Sequence, residues 1–93
     1  MGDVFRALAD PTRRLILDEL TERDDQTLFE ICSRLMTKHG STSSRQAISQ
    51  HLAVLEEADL VRSRRAGRTK VHRLNPEPLR SLTARWLTDT GGE

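Results

Sequence analysis

The stretch Ser44-Arg45-Gln46-Ala47-Ile48-Ser49-Gln50-His51-Leu52-Ala53-Val54-Leu55 sorts its residues onto two faces, and that sorting decides the fold. Ile48, Leu52 and Leu55, helped by Ala47 and Val54, recur at the spacing that puts apolar side chains on one side of an α-helix. The opposite stripe is Arg45, Gln46, Ser49, Gln50 and Ala53, all polar or small. The spacing predicts a helix from Ser43 or Ser44 to Ala58. Ser43-Ser44-Arg45-Gln46 fits a capping box, in which a Ser hydroxyl and the Gln46 side chain each satisfy an N–H that the first turn leaves open. Asp59 follows where the helix must end, and Asp tolerates left-handed backbone better than most residues.

Upstream, Leu28, Ile31, Cys32 and Leu35 fall at i, i+3, i+4 and i+7, predicting an amphipathic helix from Leu28 to about Lys38 with Cys32 on its core side. Gly40 supplies the left-handed residue that ends it, with His39 in the loop. The segment Met36 to Thr42 connects this helix to the next and can lengthen the first by a turn. Before it, Glu22 to Gln26 reads as a polar turn, with Thr27 extended or capping. Asp10-Pro11 opens a helix running to about Thr21, with Asp10 as cap and Pro11 where its missing N–H is no loss; Leu15, Ile16, Leu17 and Leu20 form its buried side. Asp3 to Ala9 makes a short first helix showing Val4, Phe5 and Leu8.

Downstream, Leu60 to Ala66 and Thr69 to Leu74 read as two strands around Gly67-Arg68, a hairpin signal. Asn75-Pro76-Glu77-Pro78 breaks the second strand and starts a last helix with Leu79, Leu82, Trp86 and Leu87 on one face. Residues 88–93 are expected to fray.

The ninety-three residues are the length of one domain, so residues 1–93 are assigned to one unit and a multi-domain enzyme is excluded. The net charge of +1 hides an asymmetry. Met1 to Ser33 holds four basic and eight acidic residues, whereas Arg34 to Arg73 holds nine basic and three acidic. Val61 to Arg73 carries Arg62, Arg64, Arg65, Arg68, Lys70 and Arg73 with no acid. A cluster of one sign points to an anionic partner. With Phe5, Phe29 and Trp86 as its only aromatic residues, the chain is poorly equipped to stack single-stranded bases. The apolar runs are too short for a membrane span, and no signal peptide is apparent, so the cytoplasm is the expected compartment.

Two helices joined by a turn, the second with a small polar outer stripe, meet the needs of a helix-turn-helix whose recognition helix enters the major groove of double-stranded DNA. Arg45, Gln46, Ser49 and Gln50 are the candidate base readers, since Arg pairs bidentately with guanine and Gln with adenine. Ser44, His51, Arg62, Arg64, Arg65, Arg68 and Lys70 are the candidate backbone contacts, with Arg68 at the hairpin tip suited to a minor groove. The fold class is mainly α with a small β-hairpin, a winged helix-turn-helix of about five helices plus a two-stranded wing.

Three segments carry a resemblance to a known family. They are Phe5-Arg6-Ala7-Leu8-Ala9-Asp10-Pro11-Thr12-Arg13-Arg14-Leu15-Ile16-Leu17, the recognition stretch Arg45 to Leu55, and Leu60-Val61 leading through Gly67-Arg68 to Leu74-Asn75-Pro76. In this order they resemble the ArsR/SmtB type of bacterial winged-helix repressors. The resemblance implies a homodimer, paired through its first and last helices, that represses by occupying an operator. Val4, Phe5, Leu8, Leu79, Leu82, Trp86 and Leu87 are the candidate dimer seam, and two-fold symmetry implies an inverted-repeat operator with half-sites about 34 Å apart.

The chain departs from the metal-sensing members it resembles, which carry paired thiolates on the helix before the recognition helix, or Asp and His ligands on the last helix. Here the first site is reduced to Cys32, and the last helix offers Asp89 and no histidine. No metal and no other cofactor is therefore expected. His51 is read as packing or touching a phosphate, and His72 as a wing residue that adds positive charge only when protonated. No motif assembles a nucleophile, a base and an orienting group, so no enzyme activity is expected. Two rival readings remain at this level: a protein-docking module whose basic wing meets an acidic partner, and a redox-responsive repressor working through Cys32. The sequence does not name a small-molecule effector.

Overall fold

Capping chemistry sets most of the helix boundaries. A computed structural model gives the fold and describes residues 3–87. Asp3 caps α1 (Val4–Leu8), its Oδ1 accepting from the Phe5 N–H at 2.9 Å. Asp10 caps α2 (Pro11–Glu22), accepting from the N–H groups of Thr12 and Arg13 at 2.8 and 3.1 Å. Ile16, Leu17 and Leu20 of α2 are buried and Leu15 is half-buried.

The polar turn, expected over Glu22 to Gln26, is two residues shorter: Glu22 ends α2 and Arg23 to Asp25 are left in the turn. Gln26, expected in the turn, is fully buried and begins β1 (Gln26–Thr27). Two residues are too few to display the alternation that marks a strand; their conformation comes from pairing with a strand some 45 residues later. Thr27 then serves as the cap of α3 (Leu28–His39): its hydroxyl accepts from the Glu30 N–H at 3.1 Å, and the Glu30 carboxylate accepts from the Thr27 N–H at 2.8 Å. Ile31 and Leu35 are buried, while Leu28 and Cys32 are half-buried against the core. The long connecting segment is partly absorbed by α3, which runs through His39. Gly40, at φ 63°, ends the helix, and the N–H groups of Gly40 and Ser41 reach the carbonyls of Met36 and Leu35 at 3.0 and 3.1 Å.

Ser44 caps α4 (Arg45–Glu57) through the Ala47 N–H at 3.0 Å. With the cap at Ser44 rather than Ser43, the third helical position is Ala47. The expected box with Gln46 therefore does not form, and Gln46 is left exposed. Ile48, Leu52 and Leu55 are buried. Asp59 takes the left-handed conformation at φ 60° and turns the chain into β2 (Val61–Ala66). Gly67, at φ 66°, and Arg68 connect it to β3 (Thr69–Leu74) in a register pairing Val61 with Leu74 and Ala66 with Thr69. The sheet has three antiparallel strands in the order β1-β3-β2, so the wing rests on a third strand that was not expected. Buried Asn75 donates to the Asp59 carbonyl at 2.8 Å, tying the end of the wing to its start.

The last element, α5 (Glu77–Leu87), contributes no buried residue. Its Leu79, Leu82, Trp86 and Leu87 line one shallow apolar face. Phe5 of α1 lies 6.2 Å, ring to ring, from Trp86. The core is thus built from α2, α3, α4 and the base of the wing, with Ala7 of α1 buried in it and α5 packed against it only through half-buried Leu79. Among the described residues, no helix is long and apolar enough to cross a membrane. The tail from 88 to 93, expected to fray, and Asp89 within it lie outside the described residues.

Candidate nucleic-acid interface

The cap at Ser44 fixes where α4 begins, and the buried Ile48-Leu52-Leu55 side fixes which way it faces. Arg45, Gln46, Ser49 and Gln50 all point outward and are exposed. None of their side chains makes a hydrogen bond or ion pair among the described residues. The four do not share one environment, however. Arg45 and Ser49 line a groove of about 650 Å³ between α4 and the wing, together with Phe29, Glu56, Arg68 and Lys70. Gln46 and Gln50 do not line that groove; they lie on the open outer side of the helix.

The Ser44 hydroxyl is already engaged as the cap. His51 is half-buried, and its Nδ1 lies 3.1 Å from the Arg13 guanidinium. A guanidinium only donates, so Nδ1 accepts and the ring proton sits on Nε2. Arg13 also donates to the carbonyls of Ala7 at 2.8 Å and Arg6 at 3.2 Å, so His51 couples α4 to the α1–α2 junction.

The wing differs from its sequence in charge. Arg62 forms a two-pronged pair with Asp59, both contacts at 3.2 Å. Arg64 reaches Asp25 at 3.2 Å, and Lys70 reaches Glu56 at 3.7 Å. Arg73 lies 3.7 Å from Asp24 and 3.9 Å from Asp25. Only Arg65 and Arg68, at the tip, have no acidic partner among the described residues. The hydrogen bonds and charge of Arg62 hold the Asp59 carboxyl below its ordinary value, which keeps that pair ionised.

Two histidines sit differently from their sequence reading. His72 is not part of the basic surface: it is buried, its Nδ1 donates to the Gln26 carbonyl at 3.0 Å, and Nε2 faces Glu56 at 4.0 Å. Pairing of β3 with β1 encloses it. His39 is the last residue of α3, not a loop residue, and its Nε2 lies 3.3 Å from Glu19.

Glu19 is the functional neighbour that the sequence reading missed. Fully buried on α2, it receives Lys38 at 3.0 Å, His39 at 3.3 Å and Arg34 at 3.4 Å, all from α3. Burial pushes its carboxyl up, but hydrogen bonds from Lys38 and His39, with the charge of Lys38, outweigh that and hold it below the ordinary value. The available signal was a carboxylate on the same helical side as Ile16 and Leu20. The groove's Phe29, exposed at the start of α3, and the acidic pair Asp24-Asp25 were also passed over; the second was visible as the nearest upstream complement to the arginine run.

Cys32 is half-buried, and burial pushes its thiol up, only partly opposed by Arg45, so little thiolate forms at neutral pH. Among the described residues, no three His, Cys, Asp or Glu side chains converge as a metal would require. The donor set on α3 and on the described part of α5 does not fit either kind of metal site considered above.

Residues 8–64 match the helix-turn-helix domain family. The chain is 52% identical over 84 residues to an uncharacterised HTH-type transcriptional regulator of Bacillus subtilis, YuzN, covering 90% of this chain and 91% of that one. It is 33% identical over 87 residues to the transcriptional repressor SdpR of the same organism, covering 94% and 88%. Among solved structures, an ArsR-like transcriptional regulator from a Rhodococcus superposes with a TM-score of 0.75 at 39% identity, over 96% of this chain and 74% of that one.

Proposed function

The chain belongs to the ArsR/SmtB family of winged helix-turn-helix transcriptional regulators, and from that premise we propose that it is a homodimeric repressor, without a metal cofactor, that reads an inverted-repeat operator. One observation carries the reading: among the described residues, four hydrogen-bonding side chains on the outer face of α4 are uncommitted, beside a wing whose only unpaired cations are at its tip. Arg45 and Ser49 read bases on the groove side of the helix, and Gln46 and Gln50 read them on the open side. Arg65 and Arg68 hold phosphates or enter the adjacent minor groove.

The dimer seam is formed by Val4, Phe5 and Leu8 of α1 with Leu79, Leu82, Trp86 and Leu87 of α5. What supports it is exposure: Phe5, Trp86 and Leu87 are each more than half exposed, a contiguous apolar surface that a monomer would leave in water. That no donor set converges among the described residues supports the metal-free reading, and the raised thiol of Cys32 weighs against a redox switch. The protein-docking alternative loses its main support, because four of the six wing cations are answered within the chain. Residues 1–93 act as one cytoplasmic DNA-binding unit with no enzyme activity.

Gln50→Ala tests the base-reading assignment. With the preferred duplex defined by selection from a randomised pool, the variant is expected to lose discrimination at one base position per half-site, worth about 1–3 kcal/mol. Superimposable base-preference profiles for parent and variant overturn the assignment.

A further inference from the structure

The acids that answer the wing come from outside it. Asp24 and Asp25 lie in the turn between α2 and β1, and they reach Arg64 of β2 and Arg73 of β3. A carboxylate serving only its own turn would accept from a nearby backbone N–H. Asp25 does not: Oδ2 takes the Arg64 guanidinium, while Oδ1 is buried with no hydrogen-bond partner, 3.9 Å from Arg73. The turn is therefore aimed at the wing rather than at itself. Both arginines remain about half exposed, open to a phosphate if the carboxylates were gone.

Resting on the DNA-binding reading above, we propose that the Asp24–Asp25 turn determines specificity, holding Arg64 and Arg73 away from DNA phosphates and leaving the wing only its tip cations. Phosphate contacts carry no sequence information, so every freed wing cation strengthens binding to all duplexes alike. What a repressor needs is the ratio between its operator and bulk DNA. Two carboxylates beside the wing protect that ratio twice, by occupying the arginines and by repelling a phosphate that approaches them.

Asp25→Asn removes the charge and keeps the turn, because Asn accepts the left-handed backbone seen here at φ 59°. Affinities for a random duplex and for a selected duplex are measured across a salt series with the parent, Asp25→Asn and the double variant with Asp24→Asn. On random DNA the log–log salt slope is expected to steepen by about one unit in the single variant and about two in the double. The selected-to-random ratio is expected to fall. An unchanged slope and ratio in a variant that melts like the parent overturns the proposal.

Should the Asn variants fail to fold, Arg64→Ala in the parent chain decides instead. It is expected to leave the slope on random DNA unchanged, since Arg64 is already committed; flattening by one unit overturns the proposal. A parent that binds neither duplex overturns the DNA-binding reading, and this inference with it. A parent that binds, with variants that do not differ from it, overturns this inference alone.

Discussion

A single carboxylate shows how much of this molecule's electrostatics is internal. Glu19 has no exposed surface, and the three side chains around it, Arg34, Lys38 and His39, all come from the last turns of α3. Contacts from Arg34, Lys38 and His39 to this one carboxylate fix the end of the helix that leads into the recognition helix. Removing one member of a buried ion-pair cluster strands the others, so Glu19→Ala is expected to lower stability by about 3 kcal/mol, read by chemical denaturation. The sign with pH follows from the depressed carboxyls of Glu19 and Asp10. A group whose folded pKa is lowered contributes stability above its unfolded value and loses it as pH falls through the folded one. Stability is therefore expected to fall progressively below about pH 4.3, and more gently in Glu19→Ala than in the parent; an equally steep acid limb in both contradicts the role given to Glu19. The sequence shows Glu19 only as a charge beside apolar residues. Its partners are 15 to 20 positions away, and helix periodicity carries no information at that range.

At the scale of elements, what was legible is what is encoded locally. Asp10-Pro11, Gly40 and Asp59 each impose a backbone state on their own position, and each boundary falls where those residues place it. The exposed stripe of α4 was legible for the same reason, since its buried stripe fixes it. β1 was not: its two residues become a strand only because β3 pairs with them, and that pairing also buries Gln26 and His72. The wing's length and turn were legible, but its charge was not. Four acids drawn from the α2–β1 turn, from α4 and from Asp59 face four of its six cations. The tip residue Arg68 is outside that pairing, so Arg68→Ala is expected to weaken binding to specific and random duplexes alike and to flatten the salt dependence by about one unit. A salt titration with an unchanged slope contradicts the wing-tip contact.

For the whole molecule, the charge asymmetry of the sequence changes meaning once it is folded. The acidic N-terminal third and the basic central stretch are not two separate surfaces, because Asp24 and Asp25 lie against the wing. Within the basic central stretch, the cations without an acidic partner among the described residues are fewer: Arg45 on the outer face of α4, and Arg65 and Arg68 at the wing tip. The apolar residues are likewise divided, between a core of α2, α3, α4, the sheet and Ala7 of α1, and the exposed Phe5, Trp86 and Leu87 that the proposed second copy would cover. Two copies joined there present two recognition helices related by a two-fold axis. The central claim is tested most directly by selecting binding sites from a pool of randomised duplexes with the intact protein. An inverted repeat whose half-sites are centred about one helical turn, ~34 Å, apart is expected to be enriched. A pool that stays random, or a single unrepeated half-site, with protein that melts cooperatively, contradicts it.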